Sequence, residues 1–289
     1  MIAEETGEAS TGADAVDLDH WIYGVVRGEG YTTKAISHGL TVGLYDQYLR
    51  GHYTPIRAAT VQSEGPFGLR MIHPVGSGEE VLLSRLSRGP PDEAGRPTFA
   101  NHTAIVATQL LRSGRITLEA IYDAIEASEK DKKAIDSAGQ MNRLSVPSQP
   151  PGTVGSVVHR YVSLPALETL ATRILMDPHN RTLLLCRDST ADSRNQTMCS
   201  IVEILCWACG LPPFAGISDA PTASAINFFK LVVAPRGVRA DSQWALLDSA
   251  LGEAALPRIP GHEGVYEVLA AAYNQSLRGR TAAGVRVAP

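Results

Sequence analysis

Between Arg194 and Cys209 the chain carries a helix-length segment that is apolar on nearly every side, and such a segment has to be covered all round by the rest of the fold. Ser193 and Gln196 have capping-box spacing at its start, and Gly210 with Pro212 supplies its stop, which makes it the best-bounded helix of the sequence. Apolar runs at Arg181–Arg187 before it and Ile226–Val233 after it read as strands, so the segment is the middle of a strand-helix-strand unit. A helix with a buried stripe of Leu167, Leu170, Ala171 and Ile174 precedes this unit. Two more helices, about Ser242–Glu253 and Val265–Leu277, are expected to close the fold.

The first half has a different rhythm. Short apolar runs at Trp21–Val26, Arg57–Gln62, Phe67–His73, Val81–Leu86 and Thr98–Thr108 are separated by turn residues such as Gly65-Pro66 and Gly76-Ser77-Gly78, the pattern of an antiparallel meander. One helix near Thr41–Leu49 interrupts it, and another at Leu118–Lys130 presents Leu118, Ile121, Tyr122 and Ile125 on one face, with Thr117 placed to cap it. The expected organisation is a disordered tail over 1–17, an N-terminal α+β domain over 18–140, a Pro-rich linker over 141–160 and a helix-rich α/β domain over 161–289. The fold class is therefore α+β: a mixed or antiparallel N-terminal sheet with few helices, then a helix-rich half containing the strand-helix-strand unit. With 289 residues, of which 44% are hydrophobic, the chain can bury one large core or two smaller ones.

Charge and cysteine usage exclude several functions. The balance of 26 basic against 30 acidic residues leaves no basic concentration of the kind nucleic acid requires, and the mixed run Glu126–Lys133 reads as a solvated helix face. No apolar stretch approaches the roughly 20 residues that span a bilayer, and the acidic start lacks a signal peptide's basic and apolar regions, so a cytoplasmic location without membrane contact is expected. Cys199, Cys206 and Cys209 share the central helix and Cys186 lies in the strand before it, which points to reduced, buried packing residues and no metal. Cofactors are not expected either. The stretch Arg187–Asn195 between strand and helix contains no glycine, so no backbone cradle for a phosphate follows that strand. Gly24, Gly28 and Gly30 lack dinucleotide-binding spacing and lead into a strand, so their reading is a bend with positive φ.

Two motifs remain. The stretch Tyr23-Gly24-Val25-Val26-Arg27-Gly28-Glu29-Gly30-Tyr31, with a second strand ending Ala35-Ile36-Ser37, is answered by Gly95-Arg96-Pro97-Thr98-Phe99-Ala100-Asn101-His102-Thr103-Ala104-Ile105-Val106. Together with Leu211-Pro212-Pro213 and the later run Ile226–Val233, these resemble the N-terminal and middle domains of the GTPase-associated proteins of bacterial conflict systems. The chain departs from that pattern where Tyr31 stands at the family's first His, whereas His102 falls where relatives place a His inside an apolar strand. The resemblance implies a non-enzymatic adaptor or regulatory subunit, acting by protein-protein interaction with a separately encoded GTPase. It makes Tyr23, Gly24, Gly28, Gly30, Tyr31, Arg96, Asn101 and His102 the partner-facing or structural motif. If the fold is shared, Tyr23 or Tyr31 should come near His102.

The alternative is a cysteine-histidine hydrolase with a site near Cys186 and His102. Cys186 ends a strand, and His102, His159 and His179 are available as bases, although Arg187-Asp188 follows in place of a caspase-like Gln-Ala-Cys-x-Gly context. The glycine-poor loop generates a direct prediction: the purified chain binds neither GTP nor ATP, and equilibrium dialysis returning micromolar affinity for either would refute it.

Overall fold

The computed structural model describes residues 14–26, 28–41, 43, 45, 68–89, 91–130, 139–148, 158–177, 179–186, 190–218, 229–238 and 242–283. The Arg57–Gln62 run lies outside these residues, and the helix expected at Thr41–Leu49 does so almost wholly. The first half is built from β1 (Ala15–Leu18), β2 (His20–Val26), β3 (Gly30–Ser37), β4 (Leu69–Val75), β5 (Glu80–Gly89) and β6 (Thr98–Ala107). Next come α1 (Thr108–Arg112), α2 (Leu118–Lys130), β7 (Gln140–Met141) and β8 (Leu144–Pro147). The second half comprises α3 (Val158–Tyr161), α4 (Leu164–Met176), β9 (Thr182–Cys186), α5 (Ala191–Val202) with a π-helical continuation over Glu203–Ala208, β10 (Gly216–Ser218), β11 (Leu231–Pro235), β12 (Ala245–Asp248) and α6 (Glu263–Ala283).

The fold is α+β as expected, with antiparallel strands first and helices interleaved with parallel strands later. The strands of both halves nevertheless form one ten-stranded sheet in the order β12-β9-β11-β10-β4-β5-β6-β2-β3-β7. β10 makes the join, running parallel to β11 on one side and antiparallel to β4 on the other. The stretch 141–160, read as a linker, holds β8, which pairs with β1 through Leu18↔Leu144 and Val16↔Val146. Residues 15–17, read as tail, are thus a strand. Val16 and Leu18 carry the period-2 signal that the polar composition of this stretch hides, and Pro147 ends a strand with one neighbour among the described residues, where its missing N–H breaks no ladder. The helix expected at Ser242–Glu253 is also replaced, because Ala245–Asp248 pairs in parallel with Thr182–Leu185 of β9 and tertiary pairing overrides the helix propensity of its Ala and Leu residues.

Cross-strand registers assign the side chains to two faces. Leu247, Leu184 and Val233 form one continuous row, and Leu231, Gly216, Ile72, Leu83 and Ala104 another, on the face covered by α1 to α6. Leu183, Val232, Ile217, Met71 and Trp21 belong to the opposite face. The central helix rests on the first. Thr190 caps it by accepting from Ser193 N–H at 3.2 Å, one turn earlier than the Ser193–Gln196 spacing suggests, and Gly210 ends it at φ +70°. A Cβ on Gly216 would meet Met198 Sδ at 3.4 Å, ordinary van der Waals contact, which shows how directly this helix rests on β10. In the last turns Cys209 N–H reaches back to Ile204 O at 2.8 Å, the wider loop of a π-helix.

Leu205 lies in this π segment and is fully buried. Leu205→Ala is expected to lower unfolding free energy by roughly 2–5 kcal/mol, from lost transfer energy plus the cavity left behind. Urea denaturation showing a loss below about 1 kcal/mol would place the helix at the periphery instead.

Candidate functional site

Strand pairing puts Arg70 of β4, Arg85 of β5 and His102 of β6 in one row on the helix-covered face, through Arg70↔Arg85 and Arg85↔His102. α2 crosses above this row, and the spacing of Glu119, Tyr122, Glu126 and Glu129 keeps all four on the side that meets it. Arg70 Nη1 lies 2.7 Å from both Glu119 carboxylate oxygens, and its guanidinium stands 4.8 Å from the Tyr122 ring centroid. Arg85 pairs with Glu129 and lies 3.6 Å from Glu126 Oε2. Lys130, and behind it Arg85, hold the Glu126 carboxyl below the usual range. The run read from sequence as a solvated face is therefore solvated only in part: Glu126 and Glu129 turn toward the sheet.

The row ends in two stacked imidazoles. His20 Nδ1 and His102 Nε2 are 2.7 Å apart, and His20 Nε2 is 2.7 Å from Asn142 O. A carbonyl only accepts, so His20 Nε2 carries a hydrogen. Burial, with the neighbouring His102, pulls the His20 pKa down to about 4 against the pull of Asn142 O, so near neutral pH Nδ1 keeps its lone pair. His102 Nε2 must then donate. His102 Nδ1 faces Glu129 Oε1 at 3.7 Å, within ion-pair range but beyond a hydrogen bond. Hydrogen bonds thus join Asn142, His20 and His102 through rings that are 2% and 1% exposed, and His102 Nδ1 then stands opposite the Glu129–Arg85 pair of α2 and β5. No thiol bonds to either ring among the described residues, and His20 and Asn142 end the chain in backbone, so the geometry is that of a clamp between sheet and helix.

The two sequence motifs do meet. β2 pairs antiparallel with β6, setting Tyr23 opposite Asn101 and Ile22 opposite His102. Tyr31 stacks on Phe99 with centroids 4.6 Å apart, Tyr23 stacks on Tyr31 at 6.2 Å, and Tyr31 Oη accepts from Phe99 N–H at 3.2 Å. These tyrosines lie on the opposite face of the sheet from His102, whose ring partner is His20. Gly28 and Gly30 turn between β2 and β3 at φ +81° and +78°, the bend anticipated for them. Gly24 is a plain strand position against Ala100. Asn101 is buried and accepts from Thr103 Oγ1 at 3.1 Å. Arg96, largely exposed, bonds Asp92 within the β5–β6 turn and lies outside the clamp.

Cys186 and His102 are not brought together. β9 and β6 stand five places apart in the sheet, about 24 Å at the usual spacing of ~4.8 Å. Cys186 instead shares a cleft with His159, while His179 lies before β9, at the other end of the strand. Burial pushes the Cys199 and Cys206 thiols well up and Cys209 to about 11, so these three are packing residues. Glu203, buried in the π segment, accepts from Leu118 N–H at the start of α2, and burial raises its carboxyl to about 8 against that bond. Among the described residues no three His, Cys, Asp or Glu converge as a metal ion requires, and no helix is long and apolar enough to cross a membrane. Sequence reasoning missed His20, Arg85, Glu129 and Glu203. The legible signal was that Glu126 and Glu129 continue the Tyr122 face at helical spacing. No family model matches the chain, and no curated protein matches its sequence.

The His20 clamp has a pH signature. Because the folded pKa (about 4) lies below the unfolded value of 6.5, the unfolded chain binds the extra proton between them. His20 therefore costs stability as pH falls from 6.5 to 4 and contributes no slope above 6.5. The wild-type advantage over His20→Gln should shrink across that window, with a slope of up to about 1.4 kcal/mol per pH unit, measured by urea unfolding at each pH. An offset that stays constant from pH 4 to 7 would contradict the tautomer assignment.

Proposed function

We propose that this chain is a non-enzymatic adaptor or regulatory subunit of a GTPase-associated conflict or signalling system, working by contact with a separately encoded GTPase. The observation that carries this reading is the role of the shared motifs. Their central residue, His102, is 1% exposed and bonded to His20, and the two motifs together pair β2 with β3 and β6. Motifs of this kind build a scaffold, whereas residues that met a substrate would need a solvent path.

A scaffold acts through its surface, and the described residues offer one apolar place at a sheet edge. β12 is the terminal strand beyond β9, its Leu246 side chain is 54% exposed, and Arg173 Nη2 donates to Leu246 O at 3.0 Å. Met176, one turn further along α4 from Arg173, is 66% exposed. Among the described residues, a terminal strand flanked by exposed apolar side chains is a surface that a protein partner can cover.

The test is affinity capture from a lysate of the source cells with the wild-type chain and with Leu246→Asp, read by mass spectrometry. A GTPase retained by the wild type and lost from the variant is the expected result. Recovery of no GTPase, or equal recovery by both chains, would overturn the reading.

A further inference from the structure

The parallel strands β9 and β12 end side by side, β9 at Cys186 and β12 at Asp248, where Ser249 N–H still bonds Leu185 O at 3.0 Å. Beyond these carboxyl ends, the place where open parallel sheets accept ligands, α3 and α6 close a cleft of about 320 Å³. That is the lower end of the range of small-molecule sites, about 300–1,000 Å³. Its wall carries Cys186, Thr197, Ser249, Tyr273, His159 and Arg160, and none of the described lining residues is acidic. The arrangement is held from behind. Ser276 of α6 bonds His159 Nδ1 and so sets the ring, Thr197 Oγ1 donates to Ser193 O at 2.6 Å, and Cys186 Sγ sits 3.9 Å from Thr197 Oγ1. A guanidinium and an imidazole among hydroxyls, with no carboxylate among the described lining residues, complement an anion small enough for the cleft.

We propose that this cleft is a binding site for a small carboxylate-bearing ligand, with Arg160 as its charge partner and the Cys186 thiol in its wall. The inference is independent of the adaptor reading. It also differs from a Cys186–His102 site, since the described lining residues come from α3 and the two residues after it, the end of β9, α5, the segment after β12, and α6.

Iodoacetate, itself a small carboxylate, is the probe, and neutral iodoacetamide is its control. Alkylation joins Cys186 Sγ to the probe's CH2 carbon as the C–I bond breaks, iodide leaves with the bonding electrons, and the thiol proton goes to solvent. Rates at Cys186 are read by peptide mass spectrometry in the folded chain, and the same site in the urea-unfolded chain is the reference. Cys186 is 3% exposed and reached through the cleft, and the iodoacetate-to-iodoacetamide ratio should rise about five-fold on folding, as one nearby unlike charge in a solvent-open cleft would produce. Arg160→Gln should abolish the rise and Arg160→Lys should keep it, while excess acetate should protect Cys186 in the wild type. Arg160 is exposed, so both variants should fold, and a thermal melt checks this. A ratio unchanged by folding or by Arg160→Gln would overturn the proposal. So would a Cys186 that reacts with neither reagent until urea is added.

Discussion

The seam between α2 and the sheet is the contact on which the rest of the arrangement depends. Three cationic or ionisable side chains on successive strands meet three carboxylates on one helix face, in a layer where Glu119 and Glu126 are partly open to water and the rest are largely buried. Desolvating such groups is expensive, and the cost is offset only when each finds its partner in good geometry. That condition fixes the helix in both position and rotation, because a turn of α2 by one residue would leave Arg70 buried opposite an apolar side chain. Apolar packing by Ile121, Tyr122 and Ile125 supplies the attraction, and the charged row decides the register.

The same logic extends into the second half through Glu203. Its carboxyl oxygen takes one of the N–H groups left unpaired at the start of α2, so the π-helical end of the central helix and the seam helix are secured by one side chain. Arg70 Nη1, close to Cys199 Sγ at 3.7 Å as well as to Glu119, ties α2 and the central helix together from the sheet side. Buried polar groups here form a connected set in which removing one member strands the next.

Elements with a strong local period were legible in the sequence: α2 and its Thr117 cap, the β4–β5–β6 meander, and the central helix with its Gly210 stop. What the sequence hid was decided by partners far away in the chain. His20 becomes significant only because His102, 82 residues later, stands against it, and Ala245–Asp248 is a strand only because β9 is there to pair with. β1 and β8 are four residues each, too short for a period to stand out from polar or Pro-rich surroundings. The candidate site divides in the same way. The strand motif around His102 could be read, whereas its acidic partners lay in a run whose alternating charges resemble an ordinary solvated surface.

β10 is only three residues long, yet among the described residues it alone joins the antiparallel and parallel parts of the sheet, and Ser218 Oγ receives Arg70 N–H across 148 positions of sequence. During synthesis at about 5–20 residues per second, the edge of β4 therefore waits roughly 7–30 s for its neighbour to leave the ribosome. In that interval the N-terminal meander carries an open, apolar flank, and its closure is a long-range event of the slow kind. The nascent chain is thus exposed to mispairing at one strand for a definite period, and a three-residue segment near its far end brings that exposure to a close.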